Sequence, residues 1–502
     1  MAQNVRTAGL LLHPTSLPGG HGIGDLGDSA RSLLRWMQSA GLSEWQVLPL
    51  GPADAGGSPY TSCAAMGGNL LLIDLAGLVE VDLLTATDLA PSSTVPLPPS
   101  GRAVDFAAVA AFKLPRIYRA AERLVATREH PWHAEFTRFC RDEAGWLDDV
   151  AAFLALGQRH DGAAWPLWPP GERDRAPAAM AAVRASADWS RHAAVQFLFE
   201  QQWRALRRDA AAAGVAIIGD APIYVAHDSA DVWAHRALFD LDRAGAPCAV
   251  AGVPPDAYAA LGQLWGNPLY DWPAHQREGF AWWKRRVARL ASLCDVVRID
   301  HFRGLLAYWS VPADAVDASG GQWCDGPGDA LLTAICATPG LSIVAEDLGT
   351  IDDDVRALRD RHGLPGMAVL QFAWDGDPTN AYLPHQHSAR LAVYTGTHDN
   401  DTTVGWWRSM PEVIRHRVRV YLGVDGRDIE WDFIRVALAS VAERAVVPVQ
   451  DVLGLGSEAR MNLPGQARGN WAFRLLPGEL QGAHADRLRA LNGCFGRLPG
   501  AA

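Results

Sequence analysis

Eight short apolar runs, each closed by a turn or a polar residue and separated from the next by other sequence, constrain this chain more than anything else in it. They are Gly9–Leu12, Trp45–Leu50, Val215–Ile218, Asp295–Ile299, Leu341–Ala345, Met367–Phe372, Leu391–Tyr394 and Val446–Gln450. Most are apolar without alternation, as strands are when helices cover both faces of a parallel sheet. The intervals carry helical signals. Val195, Leu198, Phe199 and Leu206 recur at helical spacing within Asp188–Ala213, and Gly214 stands where a C-terminal cap belongs. Trp283, Val287 and Leu290 fall at i, i+4 and i+7. Asp352, Asp353 and Asp354 bring negative charge to a helix start, where the dipole favours it. Eight strands alternating with helices predict an α/β fold, a (β/α)8 TIM barrel.

The spacing of the runs is uneven. The second and third lie about 165 residues apart, far more than one crossover helix needs, so a further unit is inserted there. The expected organisation is one catalytic barrel over residues 1–502, a mostly helical subdomain inserted at 75–187, and a second inserted region, 226–272, over the active site. Pro91–Gly101, rich in Pro and Ser, reads as a linker.

Charge narrows the partners. With 45 Lys+Arg against 56 Asp+Glu the net charge is −11, a poor fit to a nucleic-acid backbone or an anionic membrane. The seven cysteines include no CxxC pair, which points away from a disulfide framework or zinc ribbon and toward a cytoplasmic location. The early run Leu10–Leu12 is too short for a signal-peptide core. No P-loop or dinucleotide glycine fingerprint occurs, so no cofactor is expected, and no metal. Tryptophan, at 20 residues, outnumbers Phe at 14 and Tyr at 9. Core packing accounts for pairs such as Trp282–Trp283 and Trp406–Trp407; flat platforms for sugar rings are the other use, and position must separate the two.

In such a barrel the chemistry sits at the C-terminal ends of the strands. There the third run offers Asp220, the fourth Arg298, Asp300 and His301, and the fifth Glu346 and Asp347. The seventh adds His398, Asp399 and Asp401, and the eighth Gln450 and Asp451. A carboxylate cluster can bind metal, form a structural ion network, or work on a glycosidic bond. Glycoside chemistry needs two carboxyl groups in different protonation states. Burial and like charge raise one pKa, and a cation such as Arg298 keeps the other ionised. Residues i and i+2 of a strand share a face, so Arg298 and Asp300 can enter the same space. The pair His385 and His387 reads as a solvated loop rather than a metal site.

Three strand-end motifs, Arg298-Ile299-Asp300-His301-Phe302, Ala345-Glu346-Asp347-Leu348-Gly349 and Thr397-His398-Asp399-Asn400-Asp401-Thr402, resemble those of the 4-α-glucanotransferases (amylomaltases, or disproportionating enzymes) of the α-amylase clan. Leu12-His13-Pro14-Thr15-Ser16-Leu17-Pro18, Ser58-Pro59-Tyr60, the 252–256 and 262–270 segments, and the 453–462 segment are also similar to family segments, in family order. The resemblance covers nearly the whole chain. It implies Asp300 as nucleophile, Glu346 as general acid/base and Asp399 as the third carboxylate, which stabilises the transition state. It implies substrate contacts or site organisation by Tyr60, Asp220, Trp265, Arg298 and His398, and by Tyr258 on a loop arching over the glucan groove. Departures such as Asn69-Leu70 and Ala259-Ala260-Leu261 bear on loop shape and acceptor preference.

The implied reaction is retaining transfer of α-1,4-glucan segments from a maltooligosaccharide or amylose to glucose or another glucan, with about 5–5.5 Å expected between the Asp300 and Glu346 carboxyls. The alternative is an α-amylase-type hydrolase, which uses the same residues and differs only in whether water or sugar accepts the glucosyl group.

Overall fold

The computed structural model describes residues 6–92, 95–255, 260–466 and 468–500. Twelve strands are present among them: β1 Thr7–Leu11, β2 Glu44–Gln46, β3 Ala216–Pro222, β4 Ala249–Val253, β5 Gln263–Pro268, β6 Val296–Asp300, β7 Ala307–Pro312, β8 Gln322–Asp325, β9 Ser342–Ala345, β10 Gly366–Val369, β11 Leu391–Tyr394 and β12 Arg444–Pro448. Eight form one parallel sheet in the order β10-β11-β12-β1-β2-β3-β6-β9. The Ala345 N–H donates to the Pro365 carbonyl at 2.9 Å, which brings the two ends of that sheet together. The molecule is a (β/α)8 TIM barrel, and each of the eight apolar runs supplies one barrel strand.

Proline trims several of these strands. The second run leaves strand geometry after Gln46; the Val47 N–H still reaches the Ile218 carbonyl at 2.9 Å, but Pro49 has no N–H to extend the ladder. The eighth run turns helical after Pro448, over Val449–Val452. The sixth passes from β10 into a 3-10 turn over Leu370–Phe372.

The predicted helices form at nearly the predicted places. Ala187–Ala212 starts at Ser186, whose side chain accepts the Trp189 N–H, and Gly214 turns out of it with φ +71°. Ala281–Leu293 buries Trp282, Trp283 and Val287. Asp353–Arg361 starts at Asp352, which accepts the Val355 N–H. Between β2 and β3 the chain also forms helices Leu75–Glu80, Phe106–Ala126, Pro131–Asp142, Ala144–Arg159 and Pro177–Arg184.

The sequence reading did not anticipate a second sheet, antiparallel, in the order β5-β4-β7-β8. Its halves come from separate excursions, after β3 and after β6, and its strands are short. Among the described residues no helix is long and apolar enough to cross a membrane.

Polar side chains rise through the barrel in tiers. Glu44 meets Arg444 at 3.1 Å near the strand starts. Gln46 accepts the Tyr394 hydroxyl at 2.9 Å above it. Gly9 makes room: a Cβ there would lie 3.0 Å from the Glu44 Cβ. The next tier opens into the C-terminal mouth.

Candidate active site

Strand β6 carries Arg298 and Asp300 two residues apart, hence on one face, and pairs in register with β3 so that Asp220 lies beside Arg298. The Arg298 Nη1 donates to both Asp220 oxygens at 2.9 and 2.8 Å. Its Nη2 lies 2.9 Å from the Asp300 Oδ1 and 4.0 Å from the Glu346 Oε2. One buried guanidinium therefore joins three carboxyl groups from three strand ends. The Tyr60 hydroxyl donates to the Asp220 Oδ2 at 2.6 Å. Asp220 is fully engaged, whereas Asp300 meets Arg298 through Oδ1 and keeps a quarter of its side chain exposed to the mouth.

Glu346 follows the last residue of β9 and is held by backbone donors. Its Oε1 accepts the Leu348 N–H at 2.9 Å and its Oε2 accepts the His301 N–H at 2.6 Å. The second bond depends on a left-handed turn: His301 has φ +54°, an uncommon conformation for a non-glycine residue. The His301 ring is half-buried and meets Trp265 edge to face at 4.8 Å; burial, then Arg303, lowers its pKa to about 3.

Electrostatics separates the two acids. Burial, against the pull of Arg298 and with the help of the Asp300 charge, raises Glu346 to about 8. Burial raises Asp300 to about 6, and the Arg298 contact holds it down more firmly. Burial alone would lower the Arg298 guanidinium, but Asp220 and Asp300 raise it well above its ordinary value. Near neutral pH the direct Arg298 partner is the ionised acid and Glu346 the protonated one, the division of labour that glycoside chemistry requires.

Asp399 stands across the mouth, with 40% of its side chain exposed. The His398 Nε2 lies 3.3 Å from its Oδ1, the Asn462 amide donates to the same oxygen at 2.6 Å, and Arg460 donates to the Asp399 carbonyl at 2.5 Å. The His398 ring stacks on Tyr60, centroids 5.1 Å apart and 15° between planes. Trp471, itself left-handed at φ +65°, packs against Tyr60 at 5.4 Å and His398 at 6.0 Å. Trp265 is half-exposed, with its indole N–H on the Gln263 Oε1 at 3.1 Å. Tyr258 lies outside the described residues.

Other strand-end acids do not join this cluster. Asp347 turns back to accept the Met367 N–H at 2.8 Å and pairs with Arg359. Asp451 accepts both Thr395 and Thr403 hydroxyls, at 2.5 and 2.8 Å. Asp401 accepts the Ser457 hydroxyl at 2.7 Å, and Gln450 donates to the Ala459 carbonyl at 3.2 Å. These brace the rim. His387 corrects another expectation: it is buried rather than solvated, bonded to the Ser440 Oγ at 2.8 Å and the Tyr382 carbonyl at 3.1 Å. Sequence reasoning gave no individual role to Asn462, Arg460, Leu348 or Trp471, although the first three lie inside segments that resemble the family.

A family model described as 4-alpha-glucanotransferase matches residues 12–479. The chain is 47% identical to a 4-alpha-glucanotransferase of Thermus thermophilus over 98% of this chain and 99% of the relative. It is 45% identical to the chloroplastic/amyloplastic 4-alpha-glucanotransferase DPE1 of Oryza sativa subsp. japonica, over 98% of this chain and 84% of that one. In structure it is similar to the amylomaltase from Streptococcus agalactiae in complex with acarbose, with TM-score 0.93 and 32% identity, covering 98% of this chain and 99% of that chain.

Proposed function

Because the chain belongs to the 4-alpha-glucanotransferase family, glycoside hydrolase family 77, and is an enzyme of that activity, we propose that it works through a covalent glucosyl-enzyme on Asp300, moving α-1,4-glucan segments from a maltooligosaccharide or amylose to the 4-OH of glucose or another glucan. The single observation that carries this reading is the shared guanidinium nitrogen, 2.9 Å from Asp300 and 4.0 Å from Glu346. It sets an ionised carboxylate and a protonated one around a single cation, the pair of charge states a retaining mechanism uses.

In the first step the Glu346 proton goes to the glycosidic oxygen while an Asp300 oxygen bonds to the anomeric carbon; the shortened chain leaves with the new hydroxyl. In the second, Glu346, now ionised, takes the proton from the acceptor 4-OH as that oxygen displaces Asp300 and restores the α configuration. Asp399, fixed by His398 and Asn462, holds sugar hydroxyls in the oxocarbenium-like transition state. Tyr60, Asp220 and Arg298 organise the donor side, Trp265 lines the glucan path from the inserted region 226–272, and Tyr258 is assigned to substrate binding by the family resemblance alone. The 75–187 segment serves as a helical subdomain beside the barrel. That a relative of this fold is described with acarbose bound supports a glucan-shaped groove.

Incubation with maltotriose tests the reading. The expected products are glucose and maltodextrins longer than the substrate, without net gain of reducing ends. Reducing sugar rising with every bond cut, with no longer product, would replace transfer by hydrolysis.

A further inference from the structure

The surplus of tryptophan leaves a question that position answers. Among the described residues, most tryptophans are buried or packed against the core, and the exposed ones are Trp265, at 37%, and Trp323, at 42%. Both stand on edge strands of the small antiparallel sheet, Trp265 on β5 and Trp323 on β8. Trp265 already adjoins the acids through His301. Trp323 has no part in that site.

Trp323 is nonetheless fixed in place and joined to the rim. The Arg303 guanidinium carbon lies 4.1 Å above its ring, and Trp309 meets it at 5.2 Å and 69°. Arg303 in turn donates to the Thr350 carbonyl and lies 3.5 Å from the Asp352 Oδ2, on the loop that leaves Glu346. Asp325, exposed and two residues along the same strand, shares the Trp323 face. A flat apolar ring held at one orientation, with an acceptor beside it and a cation over one face, suits a glucose unit, whose axial C–H groups are apolar and whose rim is hydroxyl.

We propose that Trp323, backed by Arg303 and flanked by Asp325, is a remote glucan subsite that stacks on one sugar ring of an α-1,4-glucan extending past Glu346. The proposal rests on the glucan reading of the active site and adds a second point of contact, so its benefit falls only to chains long enough to reach both.

Trp323→Ala is expected to raise KM for amylose about three- to tenfold, the size of one aromatic stacking contact, with kcat little changed and KM for maltotriose moving less than about twofold. Trp323→Phe should recover most of the loss. Trp323→Leu, which keeps apolar bulk without a flat ring, should behave like Ala and carries the test if the Ala protein does not fold. Native gels containing amylose give a readout free of turnover: Glu346→Gln is retarded, and Glu346→Gln with Trp323→Leu is retarded less. Equal retardation and an amylose KM unchanged in the Leu protein would overturn the subsite. Failure of the parent enzyme to lengthen maltotriose would instead sink the transferase reading and leave the gel to decide on Trp323.

Discussion

Two buried arginines sit at opposite ends of one barrel, and their partners give them opposite characters. At the mouth, Arg298 faces Asp220, Asp300 and Glu346 and is held well above its ordinary pKa. At the base, Arg497 gives its hydrogen bonds to backbone: it donates to the carbonyls of Leu438 at 2.7 Å, Thr7 at 2.6 Å, and Ser440 and Ala442 at 2.8 Å. Burial, then Arg6, lowers it to about 9. Both cations are dry, so burial does not separate them. Arg497 satisfies carbonyls where β1 and β12 begin and ties the C-terminal segment to the barrel floor. Arg298 leaves carboxyl groups poised between charge states. The base spends a charge on structure and the mouth keeps its charges for chemistry.

The largest effect expected is at the mouth. Asp300→Asn should lower kcat by about 10⁴-fold or more, as loss of a nucleophile does. Glu346→Gln should lower it by about 10²–10⁴-fold, the range for a general acid. Initial-rate assays on maltotriose measure both. The arginines come next and test the comparison directly. Arg298→Met should cost about 10²–10³-fold in kcat. Arg497→Met should leave the specific activity of folded enzyme alone yet destabilise it by about 3 kcal/mol, because several buried carbonyls lose a charged donor. Urea melts alongside kinetics measure the pair; a large activity loss in folded Arg497→Met would break the distinction between the two ends.

The pH profile sharpens it. In the proposed mechanism Asp300 must be ionised to attack, and it is raised to about 6, so activity should fall about tenfold per unit below that. As the proposed acid, Glu346 must be protonated for the first step, and it is raised to about 8, so activity should fall above that. Removing the Arg298 cation raises Asp300 further, so the acid limb of Arg298→Met should move to higher pH. The profile of Arg497→Met should overlay that of the parent.

Much of this was legible in the sequence because a barrel strand, covered on both sides, writes itself as an uninterrupted apolar run, and because the site lies where those runs stop. Arg298 and Asp300 were legible as a pair from their i, i+2 spacing. The small sheet was not: its strands are four to six residues long and pair across separate excursions, so no local pattern announces it. Strand-end position alone did not sort Asp300 from Asp347, Asp401 and Asp451, which follow strands in the same way; only the resemblance of the motifs singled it out. Only the turn each chain takes next decides whether an acid faces the mouth or a neighbouring N–H. His301 shows the limit most plainly, since its imidazole drew attention while its backbone N–H holds Glu346.

The smallest effect concerns what the mouth does to stability. Glu346 has a folded pKa near 8 against an ordinary 4.5. Its protonated form is the one the fold favours, so its contribution is fully present below about pH 4.5 and is lost as pH rises toward 8. The amide introduced by Glu346→Gln would be neutral throughout. Its NH2 must face one of the Leu348 and His301 N–H groups, a penalty that does not vary with pH, so the informative quantity is the slope rather than the offset. Between pH 5 and 8, Glu346→Gln should gain on the parent by up to about 1.4 kcal/mol per pH unit. Arg497 stays charged over that interval, so Arg497→Met should run parallel to the parent. Urea melts across that range separate the cases. Parallel curves for Glu346→Gln would mean that Glu346 is already ionised in the folded protein at neutral pH, and the acid at the mouth would have to be sought elsewhere.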